Sequence, residues 1–238
     1  MALFERIETP TLRGRIAEKI RRAILDGTIQ PGSKMVERQL AAQFATSLTA
    51  VREALIVLEA EGFVAKKPNT ATHVTELTLT DTEQLFDVRR VLERYAVELA
   101  ARKCTASDAE SLDTAYLSML DAARAKQDGE FVRADLALHE RIWEVARNEY
   151  LQASLRRINI PLFAFVMIHL VTERSALDLA HDAESHTALL NAIKANRPER
   201  ACQEFDAAVH DWLVNLRREV FGQGEAARSP GRTSLAGG

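Results

Sequence analysis

The sequence predicts a mainly α fold: an N-terminal winged helix-turn-helix, made of three helices and a β-hairpin, followed by an all-α helical bundle. Three observations predict it. Apolar residues recur at the spacing of one helix face along most of the chain. Two of the early helical stretches are separated by only Ala45, Thr46 and Ser47, too few residues for the helices to lie side by side. One stretch, "FVAKKPNTATHVTEL", breaks the pattern, alternating loosely with β-branched residues on both sides of Pro68-Asn69, as a hairpin does.

Taken in order, "TLRGRIAEKIRRAILDGTIQPGS" places Leu12, Ile16, Ile20, Ala23 and Ile24 at helical spacing and then stops at Gly27 and the turn Gln30-Pro31-Gly32. A short second helix lies in "VERQLAAQF", with Val36, Leu40, Ala41 and Phe44 on one face. The third is "ATSLTAVREALIVLEAEGF", which stops at Gly62 and opens with small hydroxyl-bearing residues. Beyond residue 80 the pattern is helical throughout. Capping boxes are read at Thr80-x-x-Glu83 and Ser107-x-x-Glu110. Helices are expected over about 80–104, 107–126, 129–147, 149–172, 175–195 and 198–221, with Pro161 kinking or splitting the fourth. The domains expected are 1–76 and 77–222, followed by a Gly-, Ser- and Ala-rich tail, 223–238, with little to bury and so expected to be disordered.

Composition narrows the class. The chain has 238 residues, 47% hydrophobic and 27% charged, enough for one ordinary core or two smaller ones. Its two cysteines, Cys104 and Cys202, are far apart and in no metal-ligand spacing, which excludes a disulfide framework and fits a reducing cytoplasm. Glu5, Arg6 and Glu8 stand where a signal peptide needs an apolar run, and no later stretch is read as a membrane span. Net charge is −3, but unevenly spread: residues 1–75 carry 11 Lys+Arg against 8 Asp+Glu, whereas residues 76–238 carry 20 against 26. A nucleic-acid partner would therefore meet the front of the chain.

Several motifs in one order carry a resemblance over nearly the whole length. The front, with "AILDGTIQPGSKMVERQLAAQF", "TAVREALIVLEAEGFV" and "KKPNTATHV", resembles the GntR family of bacterial transcription regulators. The back, with "VRRVLE", "DLALH", "RNEYL", "SHTALLNAI" and "AAVHDWL", resembles the helical FCD ligand-binding domain of the FadR-like subfamily. The resemblance implies a ligand-responsive, sequence-specific regulator that binds double-stranded operator DNA as a homodimer. Physical grounds agree, because the N-terminal end of a recognition helix offers hydroxyls and free backbone N–H groups to phosphates and base edges. Ser47, Leu48, Thr49 and Arg52 are the candidates on that helix, and Arg38 is placed for the DNA backbone. Two departures stand out. The family usually has arginine where this chain has Leu48, an apolar group suited to a thymine methyl, and arginine and glycine where it has Thr70 and Ala71 at the wing tip.

A second candidate site lies in the back half. Asp135 and His139 stand at i and i+4 among Val132, Leu136, Ile142 and Trp143, and His186 and His210 also sit on apolar faces. Each histidine could be a hydrogen-bonded core residue, with Asp135 pairing His139. Alternatively the four converge on a divalent metal: zinc first, with nickel, cobalt or manganese as alternatives. The resemblance favours the metal, since these positions are read as the ligands of metal-binding FCD proteins. It also makes Arg89 the clamp for a small carboxylate effector, although an ion pair with Glu93 at i+4 is equally open. A metal-dependent hydrolase carrying a DNA-binding module is the alternative function, weakened by the want of a separate general base.

Overall fold

The structure is a computed structural model that describes residues 11–66, 71–173 and 178–222. Thr70, the Pro68-Asn69 turn and the tail 223–238 lie outside the described residues.

Helix α1 (Leu12–Leu25) begins where the Thr11 hydroxyl accepts from the Gly14 N–H, and it buries Ile16, Ala17, Ile20 and Ile24. These pack on α3 (Leu48–Ala60), which buries Val51, Ala54, Leu55 and Leu58. Burial of each Leu, Ile or Val contributes about 1.5–3 kcal/mol. Between them runs α2 (Glu37–Gln43). Ala45 takes a positive φ of 49° and breaks the chain, so that α2 and α3 meet at 111°. That is the steep crossing expected of so short a turn.

The wing has one strand more than the sequence predicts. Strands β2 (Val64–Lys66) and β3 (Thr72–Val74) form the expected hairpin, and β1 (Lys34–Met35) adds to its other edge, giving the order β1-β3-β2, all antiparallel. Two residues show no periodicity, so β1 is set only by its pairing, Lys34 with His73 and Met35 with Thr72.

Six helices follow: α4 (Leu79–Lys103), α5 (Ala106–Arg124), α6 (Asp128–Val145), α7 (Glu149–Glu173), α8 (Leu179–Lys194) and α9 (Pro198–Leu216), the last running into a π turn, Arg217–Phe221. The capping boxes lie two residues earlier than expected, at Thr78 with Asp81 and Thr105 with Asp108. The shorter aspartate reaches back to the cap N–H as the glutamate was expected to. Pro161 does not split α7, which continues through it as one helix. By length and composition α7 could cross a bilayer, contrary to expectation, with mean hydropathy 1.4 over its most apolar stretch. More than half of that stretch is buried against its neighbours, as in a core helix.

α7 also touches the front part, packing on α1. Gly62, which ends α3 with φ +77°, lies so close that a Cβ there would stand 2.6 Å from the Ile160 carbonyl oxygen of α7. Both the backbone conformation and this approach call for glycine. Gly62→Ala is expected to cost more than about 1 kcal/mol, measured by urea denaturation of the full chain. Unchanged stability would mean that α3 and α7 are not in this contact.

Candidate nucleic-acid interface and candidate metal centre

The residues expected to meet DNA lie at the N-terminal end of α3 but open onto two surfaces. A groove between α3 and the wing is lined by Arg38, Leu48 and Arg52 together with Lys34 and Lys66. Ser47 and Thr49 line a separate recess with Thr11 and Arg13. The Ser47 hydroxyl is already used as the helix cap, accepting from the Ala50 N–H at 3.2 Å. Leu48 is 37% exposed, outside the core, and does not turn inward against α2. Arg52 Nε donates to Glu37 Oε2 at 2.6 Å in a largely solvated pair, which orients the guanidinium more than it stabilises the fold. Sequence reading missed Lys34 and Lys66. Both are brought to the groove by strand pairing, and the only trace in sequence is a basic residue at each edge of the wing.

In the helical part, α4, α6, α8 and α9 enclose a pocket against α7. Its polar wall is built upward from Glu93, whose carboxylate is fully buried. Arg89, one turn away on α4, donates its Nε to Glu93 Oε2 at 2.6 Å. Trp143 Nε1 donates to Glu93 Oε1 at 2.9 Å, and His139 Nδ1 lies 2.5 Å from the same oxygen. Burial opposes the charge on Glu93, but the Arg89 guanidinium and the His139 ring outweigh it and hold the carboxyl well below its usual range. His139 is pushed down by burial and up more strongly by Glu93 and Asp135, so it titrates above an ordinary histidine. Arg89 makes the expected ion pair with Glu93 and also lines the pocket.

With Nδ1–H given to Glu93, the His139 Nε2 lone pair faces the pocket. His186 is fixed in the same way, its Nδ1 2.9 Å from the Asp182 carbonyl. Between the two Nε2 atoms stands Asp135 Oδ1, 3.5 Å from each. This oxygen is buried without a hydrogen-bond partner. An unpartnered buried carboxylate oxygen facing two imidazole lone pairs fits a cation better than a hydrogen-bonded core. A tetrahedral zinc with bonds of about 2.0–2.1 Å holds its ligand atoms roughly 3.3–3.4 Å apart, close to the spacing found. Among the described residues, Asp135, His139 and His186 offer ligand atoms all within 4.8 Å of one another. His186 titrates below an ordinary histidine because of burial, which keeps it neutral as a ligand must be.

His210 is not among them. It lies on the exposed side of α9, whose pocket face is Phe205, Ala208, Val209 and Trp212. His210 is one residue past Val209, about 100° around the helix. Asp182 does line the pocket, unforeseen; burial and the facing Asp135 push its carboxyl up to about 7, against the neighbouring Trp212 indole.

A winged helix-turn-helix joined to a helical bundle is the architecture of a DNA-binding transcription regulator, and here the bundle carries a largely apolar pocket with one charged wall. The chain belongs to the GntR family: residues 12–74 match the bacterial regulatory proteins of the gntR family and residues 84–210 match the FCD domain. It is 30% identical over 200 residues to the probable D-xylose utilization operon transcriptional repressor of Paenarthrobacter nicotinovorans, covering 84% of this chain and 86% of that protein. It is 29% identical over 220 residues to the HTH-type transcriptional regulator LutR of Bacillus subtilis, covering 84% and 96%. The solved structure of E. coli McbR/YncC shares the fold, with a TM-score of 0.68 at 20% identity over 88% of this chain and 99% of that one. The Paenarthrobacter and Bacillus relatives are named as transcription regulators and not as enzymes, and nothing supports the hydrolase alternative.

Two outcomes follow from the site. His186→Ala is expected to lose metal in elemental analysis of the purified chain while His210→Ala keeps it; equal loss in both would return His210 to the site. Glu93→Ala leaves Arg89 buried and unpaired, at a cost of about 3–5 kcal/mol. Because the folded carboxyl titrates below its ordinary value of 4.5, this stabilisation is complete above that pH and is lost as pH falls beneath it. Denaturation from pH 7 to 3 should therefore show a steeper acid loss in the wild type than in Glu93→Gln.

Proposed function

We propose that the protein is a cytoplasmic, homodimeric regulator that reads operator DNA through residues 1–76 and senses a small carboxylate through residues 77–222. The single observation that carries the sensing reading is the buried Asp135, His139 and His186 constellation, with Arg89 on the same pocket wall. A divalent metal, zinc or another first-row ion such as nickel, supplies there a positive charge and an open position for an oxygen ligand. Arg89 supplies a planar fork for the other carboxylate oxygen. The cavity is small, about 50 Å³, and adjoins a second of about 250 Å³ that shares Asp182, Ser185, Ala208 and Trp212. At about 10–15 Å³ per water-sized site, the inner cavity takes only the head of an organic acid, whose remainder extends outward. The Paenarthrobacter relative's name, for D-xylose utilization, agrees with a small metabolite as effector.

Coupling to DNA runs through α7. Phe163 packs edge-on against His139, with ring centroids 5.7 Å apart, and lies 5.5 Å from the Arg89 guanidinium carbon. Phe163 and Val132 also line a groove shared with Leu25 of α1, Phe63 and Ile160. A ligand that moves Phe163 moves the surface on which the end of α3 rests. For dimerisation the candidate face is the outward stripe of α4, where Val88, Val91 and Tyr95 are 50%, 69% and 49% exposed. Two-fold pairing there sets two recognition helices to two half-sites.

On the DNA side, Arg38, Leu48, Arg52, Lys34 and Lys66 are assigned to the groove that faces the duplex, with Ser47 and Thr49 on the adjoining phosphates. Leu48 is expected to pack on a thymine methyl, so that the operator favours A·T beneath it. Sequence selection from random DNA should give Leu48→Arg a new preference for guanine at that base pair, and Arg52→Ala should weaken binding by about 1–3 kcal/mol if it makes a bidentate base contact. An unchanged consensus and melting temperature for Leu48→Arg would show that Leu48 does not read DNA. The sensing half is tested by operator binding in fluorescence anisotropy, with a screen of small organic acids added to metal-loaded protein. An acid that changes affinity in wild type and fails in Arg89→Lys supports the reading, and an unchanged response in Arg89→Lys overturns the clamp.

A further inference from the structure

The motif Asp-x-x-x-His occurs three times, at Asp135–His139 on α6, Asp182–His186 on α8 and Asp206–His210 on α9, and of these the first two pairs line the pocket while the third does not. In each, the aspartate stands one turn before the histidine, so the two pocket pairs each present a carboxylate and an imidazole to the same side. Carboxylate and histidine pairs at fixed helical spacing, projecting inward from neighbouring helices, are a recurrent way for bundles to hold metal. We propose that Asp182 is the fourth protein ligand of the metal, so that the centre is made of two aspartates and two histidines and α9 contributes no ligand. This inference rests on the metal reading given above.

Four observations support it. Asp135 Oδ1 is buried, unpartnered and faces the pocket that Asp182 also lines, so the pocket presents two carboxylates; Asp182 stands outside the 4.8 Å cluster of the other three and ligates by swinging inward from the pocket wall. On the described part of α9 the pocket face is apolar apart from the Trp212 indole, a polar neighbour that favours the charged form of Asp182. A tryptophan N–H beside a ligating carboxylate acts as outer partners of metal sites do and leaves an oxygen for the ion. Asp182 finally stands on the wall between this pocket and the adjoining cavity, whose lining includes Asp178, His181 and Asp211 together with the ion pair Arg218–Glu219. An acidic mouth ending at a ligand is an entry path for a divalent cation.

Two carboxylates cancel the charge of a divalent ion. The loaded centre is then neutral and its tetrahedral shell is filled by protein, so the attraction for an anionic effector falls to Arg89, and direct coordination of the effector requires an ion that takes a fifth or sixth ligand. An oxygen-richer set also admits manganese, cobalt and nickel beside zinc.

The test uses the full chain freed of metal with a chelator and then titrated with cobalt(II), followed by its visible absorption, and with zinc(II) in competition with a chromophoric chelator. The variants are Asp182→Asn, which keeps the shape and an acceptor for Trp212, Asp182→Glu, and Asp135→Asn. Wild type is expected to take one metal per chain. Asp182→Asn should bind zinc at least about tenfold more weakly and change the cobalt spectrum in position and intensity, while Asp182→Glu retains a spectrum close to wild type. Metal-free melting curves that match between wild type and Asp182→Asn separate lost ligation from lost fold, and Asp182→Glu carries the comparison if Asp182→Asn does not fold. Wild-type affinity and an unchanged spectrum in Asp182→Asn, with binding lost in Asp135→Asn, would overturn the proposal and leave the metal reading intact. Absence of cobalt and zinc binding by wild type would overturn both.

Discussion

The structure of the helical part depends on one buried charge, the Glu93 carboxylate. Three groups from two helices satisfy it: the Arg89 guanidinium, the Trp143 indole and the His139 ring. Removing any one leaves charge or lone pairs stranded in an apolar interior, so the network fixes how α4 and α6 lie against each other. It also decides chemistry. By accepting the Nδ1–H of His139, Glu93 leaves the other nitrogen facing Asp135 and His186, the orientation that a metal ligand needs. The same guanidinium that neutralises Glu93 reaches to 3.3 Å from His139 Nε2. Whatever binds at the histidine therefore meets Arg89 as well, which places the ligand-holding and charge-balancing functions in a single group of side chains.

Position then links this group to the DNA-binding part. α7 supplies Phe163 to the pocket and Ile160 to the back of Gly62, three residues apart on one helix. Both contacts are close: the Phe163 ring packs against His139 and Arg89, and the Ile160 carbonyl leaves no room for a Cβ at Gly62. Pro161 lies between them. It is accommodated inside a helix whose middle is buried on several sides, where packing outweighs the missing backbone hydrogen bond.

Much of this was legible in the sequence. The three front helices follow from apolar spacing and from the stops at Gly27 and Gly62, and the helix-turn-helix follows from the three residues between α2 and α3. Asp135, His139 and His186 were legible because each sits on a face whose other members are apolar. His210 was misread because α9 carries apolar residues around more than half its circumference, including the exposed Val214, so composition alone does not fix its phase. The buried residues Ala201, Cys202, Phe205, Val209 and Leu216 do fix it, and they put His210 outside. Asp182 was overlooked because a first-turn aspartate reads as a favourable charge at a helix N-terminus; its spacing to His186 gave no specific signal, since Asp206 and His210 repeat it with His210 exposed. Strand β1 had no signal, since two residues acquire strand geometry only from the partner they pair with.

The central claim is that the pocket binds a divalent metal through Asp135, His139 and His186. Anomalous X-ray scattering from crystals of the full chain, soaked with zinc and recorded on both sides of the zinc absorption edge, tests it most directly. The account predicts one strong peak per chain at bonding distance, about 2.0–2.2 Å, from Asp135, His139 and His186, with none at His210. A peak at His210, or a pocket without one at full zinc loading of the crystal, would contradict it.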